Sequence, residues 1–310
     1  MQRILTITLN PAIDISTTVP EIAGDAKLRC DEPRYESGGG GINVSRVINA
    51  LGGASTALVA IGGVTGDALR DLIAEARVDA EYLIANGMTR QSFSVQERNS
   101  GNQYRFVFPG PVQDSRFSEK VLEKTAALLS TGQFPYVVAS GSLPPGLADG
   151  FYAEIASIAK NFESRFILDT SGPALRSALC SDIFLVKPDR FEAAALATDL
   201  NIDSGEPFTL AREIAVRYAV EAVIVTLGAD GAVLFTNGSQ KRYYPPPVTS
   251  VSKVGAGDSF IGALAFALLE EWPLERACAY GVAAAAAAVT TEGTELASKD
   301  DIDRLFAAME

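Results

Sequence analysis

AVIVTLGADGAVLFTNGSQKRYYP, residues 222–245, carries three structural instructions in order. AVIVTL is almost continuously apolar and β-branched, the pattern of a strand covered on both faces. The glycines at 228 and 231 then break the run into a turn. AVLFT and KRYYP follow as two further strand patterns, joined through Asn237-Gly238, a dipeptide suited to a hairpin turn. A strand covered on both faces belongs to a sheet sandwiched between helices.

Working outward, similar runs recur at RILTITL (3–9), STALVAIGG (55–63), YVVASG (136–141), RFILDTS (165–171) and IFLVKP (183–188). Helical periodicity fills the intervals at roughly 43–52, 67–75, 117–131, 149–161, 190–198 and 208–219. This alternation predicts an α/β fold with a mainly parallel central sheet.

Two regions break the rhythm. DISTTVP (14–20) with KLRCDEPRY (27–35), and TRQSFSVQE (89–97) with QYRFVFPG (103–110), read as β-hairpins, the second turning at NSGN (99–102). Together they predict a small antiparallel sheet beside the main body. A sheet this small cannot bury both faces alone, so it serves as a lid, a dimer contact, or both. VAAAAAAVTT (282–291) is read as a helix whose small residues let it pack closely. With no repeat and no Pro/Ser/Gly linker, residues 1–310 are expected to form one domain.

The composition excludes a good deal. The chain of 310 residues has no histidine, which removes Ser-His-Asp triads and histidine-ligated zinc. Acid–base work must fall to carboxylates, lysines, tyrosines or cysteines. A net charge of −12 without a basic run argues against nucleic acid as a partner. No apolar run reaches the length of a membrane span, and MQRILTITLNP alternates like a strand rather than a signal peptide. Cys30, Cys180 and Cys278 are odd in number and far apart, and are expected to be buried reduced thiols in a cytoplasmic protein.

Four stretches could carry chemistry. In SGGGGINVSR (37–46), consecutive glycines permit close backbone approach to a ligand, and a helix opening near Asn43 would aim free N–H groups at it. In VGAGDSF (254–260), Gly255, Ala256 and Gly257 lead into the amphipathic pattern IGALAFALLEEW. N–H groups at such a helix start form an anion hole, and Asp258 beside it could deprotonate an attacking hydroxyl in phosphoryl transfer. The plainer alternative makes Asp258 a helix cap. In VKPDRFE (186–192), Asp189 and Glu192 either hold Mg²⁺ through water or simply favour a helix dipole. TLGADG (226–231) offers another glycine turn where a nucleotide could approach. Among the cations of the hairpins, Lys27, Arg29, Arg90 and Arg105 are either solvated edge charges or, in a cleft, ligands for a substrate phosphate.

NPAID (10–14), GGGGINVSR, SGSLPPG (140–146), DTSG (169–172), VKPDRFE, TLGADG and VGAGDSF occur in the order that resembles ribokinase-like sugar kinases of the phosphofructokinase B branch. The resemblance runs from the first strand to the last helix. It implies a three-layer α/β/α domain with a β-sheet lid, formed by segments of about 12–36 and 87–112, through which two copies form a homodimer. It implies ATP and Mg²⁺, with K⁺ as an addition, and a sugar phosphate as acceptor. By position, Asp258 resembles the catalytic base and Gly255, Ala256 and Gly257 the anion hole. Asp14, Lys27, Arg29, Gly39, Gly40, Asn43, Arg90 and Ser140 resemble sugar-phosphate contacts. Lys187, Asp189, Thr226, Gly228 and Gly231 resemble nucleotide contacts. Asp189 and Glu192 match a magnesium-associated motif, and Ser252, Val254, Thr291 and Gly293 a monovalent-cation region.

Gly40, where relatives acting on other ketose phosphates carry lysine, and KLR (27–29) favour fructose 6-phosphate, phosphorylated at its 1-hydroxyl. Fructose 1-phosphate, tagatose 6-phosphate, and a non-catalytic sensor of sugar phosphate or nucleotide are the alternatives. The chain departs from the branch at Asp189, which replaces asparagine, and at Phe191, Lys253 and Glu295.

Overall fold

The structure is a computed structural model describing residues 2–202, 206–252, 254–291 and 295–309. Its strands are β1 (Ile4–Thr8), β2 (Ala12–Val19), β3 (Arg34–Gly38), β4 (Ser55–Ile61), β5 (Ala80–Ile84), β6 (Arg90–Glu97), β7 (Gln103–Val107), β8 (Tyr136–Ser140), β9 (Arg165–Asp169), β10 (Leu185–Val186), β11 (Ala222–Thr226), β12 (Ala232–Thr236) and β13 (Ser239–Tyr243). Its helices are α1 (Gly40–Ala50), α2 (Gly63–Glu75), α3 (Ser115–Leu129), α4 (Phe151–Asn161), α5 (Gly172–Ala178), α6 (Arg190–Asp199), α7 (Pro207–Tyr218), α8 (Ala256–Leu269), α9 (Leu274–Ala288) and α10 (Lys299–Ala307).

The large sheet runs β13-β12-β11-β10-β9-β8-β1-β4-β5. It is parallel from β11 to β5, and the β12–β13 hairpin adds an antiparallel margin. Both faces are covered. Leu5 and Ile7 join the apolar cluster under α3 to α7, whereas Ile4 joins the cluster under α1, α8, α9 and α10. That two-sided burial is why β1 and β4 are buried along their whole length and why their sequences lack a polar face.

β1 pairs with β4 on one side and β8 on the other, so the chain reverses its direction of travel across the sheet there. In open α/β sheets, ligands bind beyond the carboxyl ends of strands at such a reversal. Leu9–Pro11 follows β1, Gly141 follows β8, Thr170 follows β9 and Lys187 follows β10, all at that end.

The second sheet has the order β3-β2-β6-β7. β2 is parallel to β6, while β3 and β7 are antiparallel to their neighbours. The register places Asp14 opposite Glu36 and Ser92, Ala12 opposite Arg90, and Ser94 opposite Arg105. With the two-residue alternation of a strand, Asp14, Glu36, Arg90 and Arg105 therefore share one face. Ile13 and Ile15 point the other way and pack with Ile42, Leu69 and Ile73.

Some expectations change. KLRCDEPRY contributes to a strand only from Arg34; Lys27 and Arg29 lie in the exposed connection before it. IGALAFALLEEW is not amphipathic: α8 is buried nearly all round because it packs against both α1 and α9. The alanine run forms the end of α9, and its small side chains allow that close approach. Cys278 is buried as expected, but Cys30 and Cys180 are exposed, since they fall in a surface connection and just past the end of α5. All three are free thiols. No described helix is long and apolar enough to cross a membrane.

Candidate active site

A cleft of about 330 Å³ opens at the carboxyl end of the large sheet, beneath the second sheet. Asp14, Gly39, Gly40, Asn43, Arg105, Ser140, Asp169, Glu192, Val254, Gly255 and Asp258 are among the residues lining it. The structure thus gathers residues from six of the motifs quoted above. Two helices begin there, α1 after Gly39 and α8 after Gly255, and neither has a side-chain cap. Side chains cap α3, α6 and α10, while α2, α4, α5, α7 and α9 are uncapped as well, so what sets α1 and α8 apart is that their starts face the cleft. The first-turn N–H groups of α1 and α8 are therefore available to an anion, and both helix dipoles favour one.

The four glycines at the start of α1, Gly38 to Gly41, serve packing as much as ligand approach. A Cβ on Gly38 would lie 2.3 Å from Asp14 Oδ2, and one on Gly40 2.0 Å from Ser140 Oγ. One on Gly41 would lie 2.7 Å from the Ile7 carbonyl. The glycines let α1 start three residues earlier than its periodicity suggests, tight against the ends of β1 and β8, and so seat Asn43 in its first turn. At Gly255 the reason differs: no atom crowds it, but its φ of +77° is the left-handed conformation that glycine tolerates.

Asn43 Nδ2 donates to Asp258 Oδ2 at 2.9 Å. Asp258 is only partly exposed, through the cleft, and burial pushes its carboxyl up to about 7. The nearby Asp169 carboxylate pushes the same way, and the Asn43 hydrogen bond and the Lys187 ammonium oppose it. A carboxylate poised near neutrality in a cleft suits a general base.

Lys187 is buried and pairs with Asp169 at 3.0 Å. Burial disfavours its ammonium, yet Asp169, Glu192 and Asp258 outweigh that and raise it. Its Nζ would lie 3.6 Å from a Cβ on Gly257, so it stands directly behind the start of α8. Ser140 Oγ donates to Asp169 Oδ2 at 3.4 Å.

Asp189 and Glu192 form a capping box on α6. Asp189 accepts from the N–H groups of Phe191 and Glu192, and Glu192 Oε2 accepts from the Asp189 N–H at 2.8 Å. Glu192 lines the cleft; Asp189 is committed to the helix end. Burial raises the Glu192 carboxyl. No group of three or more Cys, Asp or Glu that could hold a metal occurs among the described residues. The described residues therefore offer Mg²⁺ no cage. The donors fit a hydrated ion carried on phosphates, whose waters Glu192 could reach.

Arg90 is held by the backbone carbonyls of Asn10 and Phe108, 3.1 and 3.3 Å away, and burial lowers it against the opposing charge of Asp14. Arg105, left outside the family-implied contact set, lines the cleft. Lys27 and Arg29 are exposed and do not line it. Gly228 has a φ of +64° and open space around it, which suits ligand approach. Gly231 instead lies where a Cβ would be 1.9 Å from the Tyr243 carbonyl, so packing against β13 demands it. Thr226 ends β11, beside Asp189. Ser252 donates its N–H to the Val289 carbonyl, and Thr291 Oγ1 lies 2.8 and 2.7 Å from the carbonyls of Ala288 and Glu295. Gly293 and Lys253 lie outside the described residues.

The pfkB family carbohydrate kinase model matches residues 1–301. The chain belongs to this family of carbohydrate kinases. It is 40% identical over 304 residues to the ATP-dependent 6-phosphofructokinase isozyme 2 of Mycobacterium tuberculosis, covering 98% of this chain and 89% of that protein. It is 40% identical over 309 residues to the Escherichia coli protein of the same name, covering 99% of each. Solved structures of Escherichia coli phosphofructokinase-2 in complex with potassium and with fructose-6-phosphate superpose with TM-scores of 0.92 and 0.90, at 39% and 38% identity. Each covers 100% of this chain and 99% of the other. In a pfkB kinase, the large sheet and the smaller separate one are the family architecture.

Sequence reasoning passed over Asp169 and Arg46. Asp169 had a signal, a carboxylate at the end of a buried strand; Arg46 had one too, its helical i,i+3 spacing from Asn43, although only the fold brings that pair to Asp258.

Proposed function

We propose that the protein transfers the γ-phosphoryl group of ATP to the 1-hydroxyl of fructose 6-phosphate, giving fructose 1,6-bisphosphate and ADP. The observation that carries this reading is the meeting of Asn43 and Asp258 at the uncapped start of α8, in a chain that matches 6-phosphofructokinases over its whole length.

Asp258 accepts the proton of the 1-hydroxyl as that oxygen attacks the γ-phosphorus. The bond from the γ-phosphorus to the bridging oxygen breaks, and ADP leaves with the electron pair. The N–H groups of Gly255, Ala256 and Gly257, with Lys187 behind them, stabilise charge on the transferring group. Asp14, Gly39, Gly40, Asn43, Ser140, Arg90 and Arg105 orient the sugar phosphate. Gly228 and Thr226 lie along the nucleotide side. Glu192 would hold the waters of a Mg²⁺ ion carried on the phosphates, and such an ion would supply charge neutralisation there. The oxygen-only donors at Ser252, Val254 and Thr291 suit a monovalent cation such as K⁺.

The second sheet acts as a lid that excludes water from the transfer. It is also the surface on which a second copy docks: β7 is exposed along its whole length, and Tyr35, Tyr104, Phe106 and Val107 are exposed on it. Lys27 and Arg29 would touch substrate only if their connection moved or a second copy supplied them. A coupled ADP-release assay with fructose 6-phosphate, fructose 1-phosphate and tagatose 6-phosphate tests the assignment. Fructose 6-phosphate is expected to give the highest kcat/KM by at least about tenfold; preference for either other sugar overturns it.

A further inference from the structure

Arg46 takes no part in the chemistry above, yet it holds the end of the Asn43 amide opposite to the one that meets Asp258. The two lie three residues apart on α1 and so share a helix face. Arg46 Nη1 donates to Asn43 Oδ1 at 3.2 Å, while the other end of the same amide, Nδ2, donates to Asp258 Oδ2 at 2.9 Å. A carboxamide has one accepting end and one donating end, and a guanidinium can only donate. With Arg46 on the oxygen, the NH₂ is the end left for Asp258.

We propose that Arg46 is a positioning residue for the transfer step: by holding the Asn43 carbonyl, it obliges Asn43 to present N–H rather than C=O to Asp258, which keeps that side chain ionised and aimed. The proposal rests on the reading of Asp258 as the base. Reversing the amide would set a carbonyl against the carboxyl group, an arrangement that only the protonated acid can satisfy. Arg46 therefore works against the surroundings that favour the proton.

Those surroundings come from several elements. Asp169 at the end of β9 and Asp14 on β2 push the Asp258 carboxyl up, and Lys187 beyond β10 pulls it down. Arg46 itself is half-buried. Burial works against its charge and lowers its pKa, and the carboxylates of Glu36, Asp258 and Asp14 offset only part of that cost. Glu36 and Asp14 belong to the second sheet, so Arg46 stands between that sheet and the base. A charged side chain kept partly out of water, with its hydrogen bond spent on an amide that faces a carboxylate, is placed for orientation rather than for surface solubility.

The test compares wild type, R46Q and R46K by ¹³C NMR titration of the aspartate carboxyls, with the Asp258 signal assigned by its loss in D258N. Glutamine removes the charge and no longer dictates the amide direction; lysine keeps a donor and the charge. The Asp258 midpoint is expected to rise by about one pH unit in R46Q and by less in R46K. The acid limb of kcat/KM should rise with it, while KM for fructose 6-phosphate stays within about threefold. In an N43A background, R46Q is expected to shift the midpoint by less than half as much, because charge acts without Asn43 but orientation does not. An unmoved midpoint in folded R46Q, or equal shifts with and without Asn43, overturns the proposal. If R46Q fails to fold, R46M, which removes both the donor and the charge, carries the test, and an unmoved midpoint there overturns it equally. If wild type phosphorylates none of the three sugars, the kinase reading fails while the NMR titration still judges Arg46.

Discussion

Asn43 on α1 and Asp258 on α8 meet in a 2.9 Å hydrogen bond across 215 residues of chain. That bond joins the two helices whose uncapped starts face the cleft, and it opposes the burial that raises the Asp258 carboxyl. With burial pushing the Asp258 carboxyl up to about 7, a base at that position would be ready only above that pH. The kcat/KM profile is expected to fall about tenfold per unit below pH 7, since activity requires the ionised form. A flat profile down to pH 5, in enzyme that stays folded, would remove Asp258 from that role.

The same carboxyl group costs stability. Its folded pKa lies above the ordinary value of 3.8, so its contribution is present below pH 3.8 and is lost as pH rises through about 7. D258N removes a charge that the fold disfavours. Discounted for contact with solvent in the cleft, the variant should gain about 1–2 kcal/mol over wild type at pH 8–9, with a smaller gain at pH 5. Denaturant melts at the two pH values check it, and a variant that is less stable at pH 8 contradicts it.

Lys187 and Asp169 are expected to behave as a pair. K187M leaves a largely buried carboxylate without its partner at 3.0 Å and should cost about 3–5 kcal/mol. K187M/D169N should recover much of that stability without recovering activity, because the cation behind α8 is still missing. Urea melts and kcat measured on the same samples separate the two effects.

Gly41 tests the packing account of the glycine run. A methyl group there would stand 2.5 Å from Thr8 Oγ1 and 2.7 Å from the Ile7 carbonyl, inside a fully packed strand end. G41A is expected to lose about 1–3 kcal/mol and to lower kcat as well, since α1 would have to move and carry Asn43 with it. Unchanged melting would mean that the run serves ligand approach alone.

Much of the fold was legible because its central strands are buried on both faces and are bounded by glycine turns. AVIVTL, YVVAS and STALVAI carry that signature without ambiguity. β5, an edge strand with the mixed sequence AEYLI, gives no such contrast, and α10 was missed although Ser298 caps it in a readable pattern. For the site, VGAGDSF stood out because a histidine-free chain leaves few bases. The amphipathic reading of α8 failed, since helices on both sides bury a helix that periodicity alone would leave half exposed. Asp189 illustrates the other limit: two acids three residues apart are equally suited to a metal and to a capping box, and only the geometry shows the capping box. Arg105 reaches the site through tertiary placement, which no local pattern records, whereas the spacing of Arg46 from Asn43 was readable and only its place beside Asp258 was not.

The central claim is that Asp258 takes the proton of the attacking hydroxyl, and D258N measures it most directly. With ATP, Mg²⁺ and fructose 6-phosphate at pH 8, kcat is expected to fall by about 10³-fold or more, while the affinity for fructose 6-phosphate stays within about threefold of wild type. Turnover within tenfold of wild type, in a variant that binds both substrates, would contradict the account.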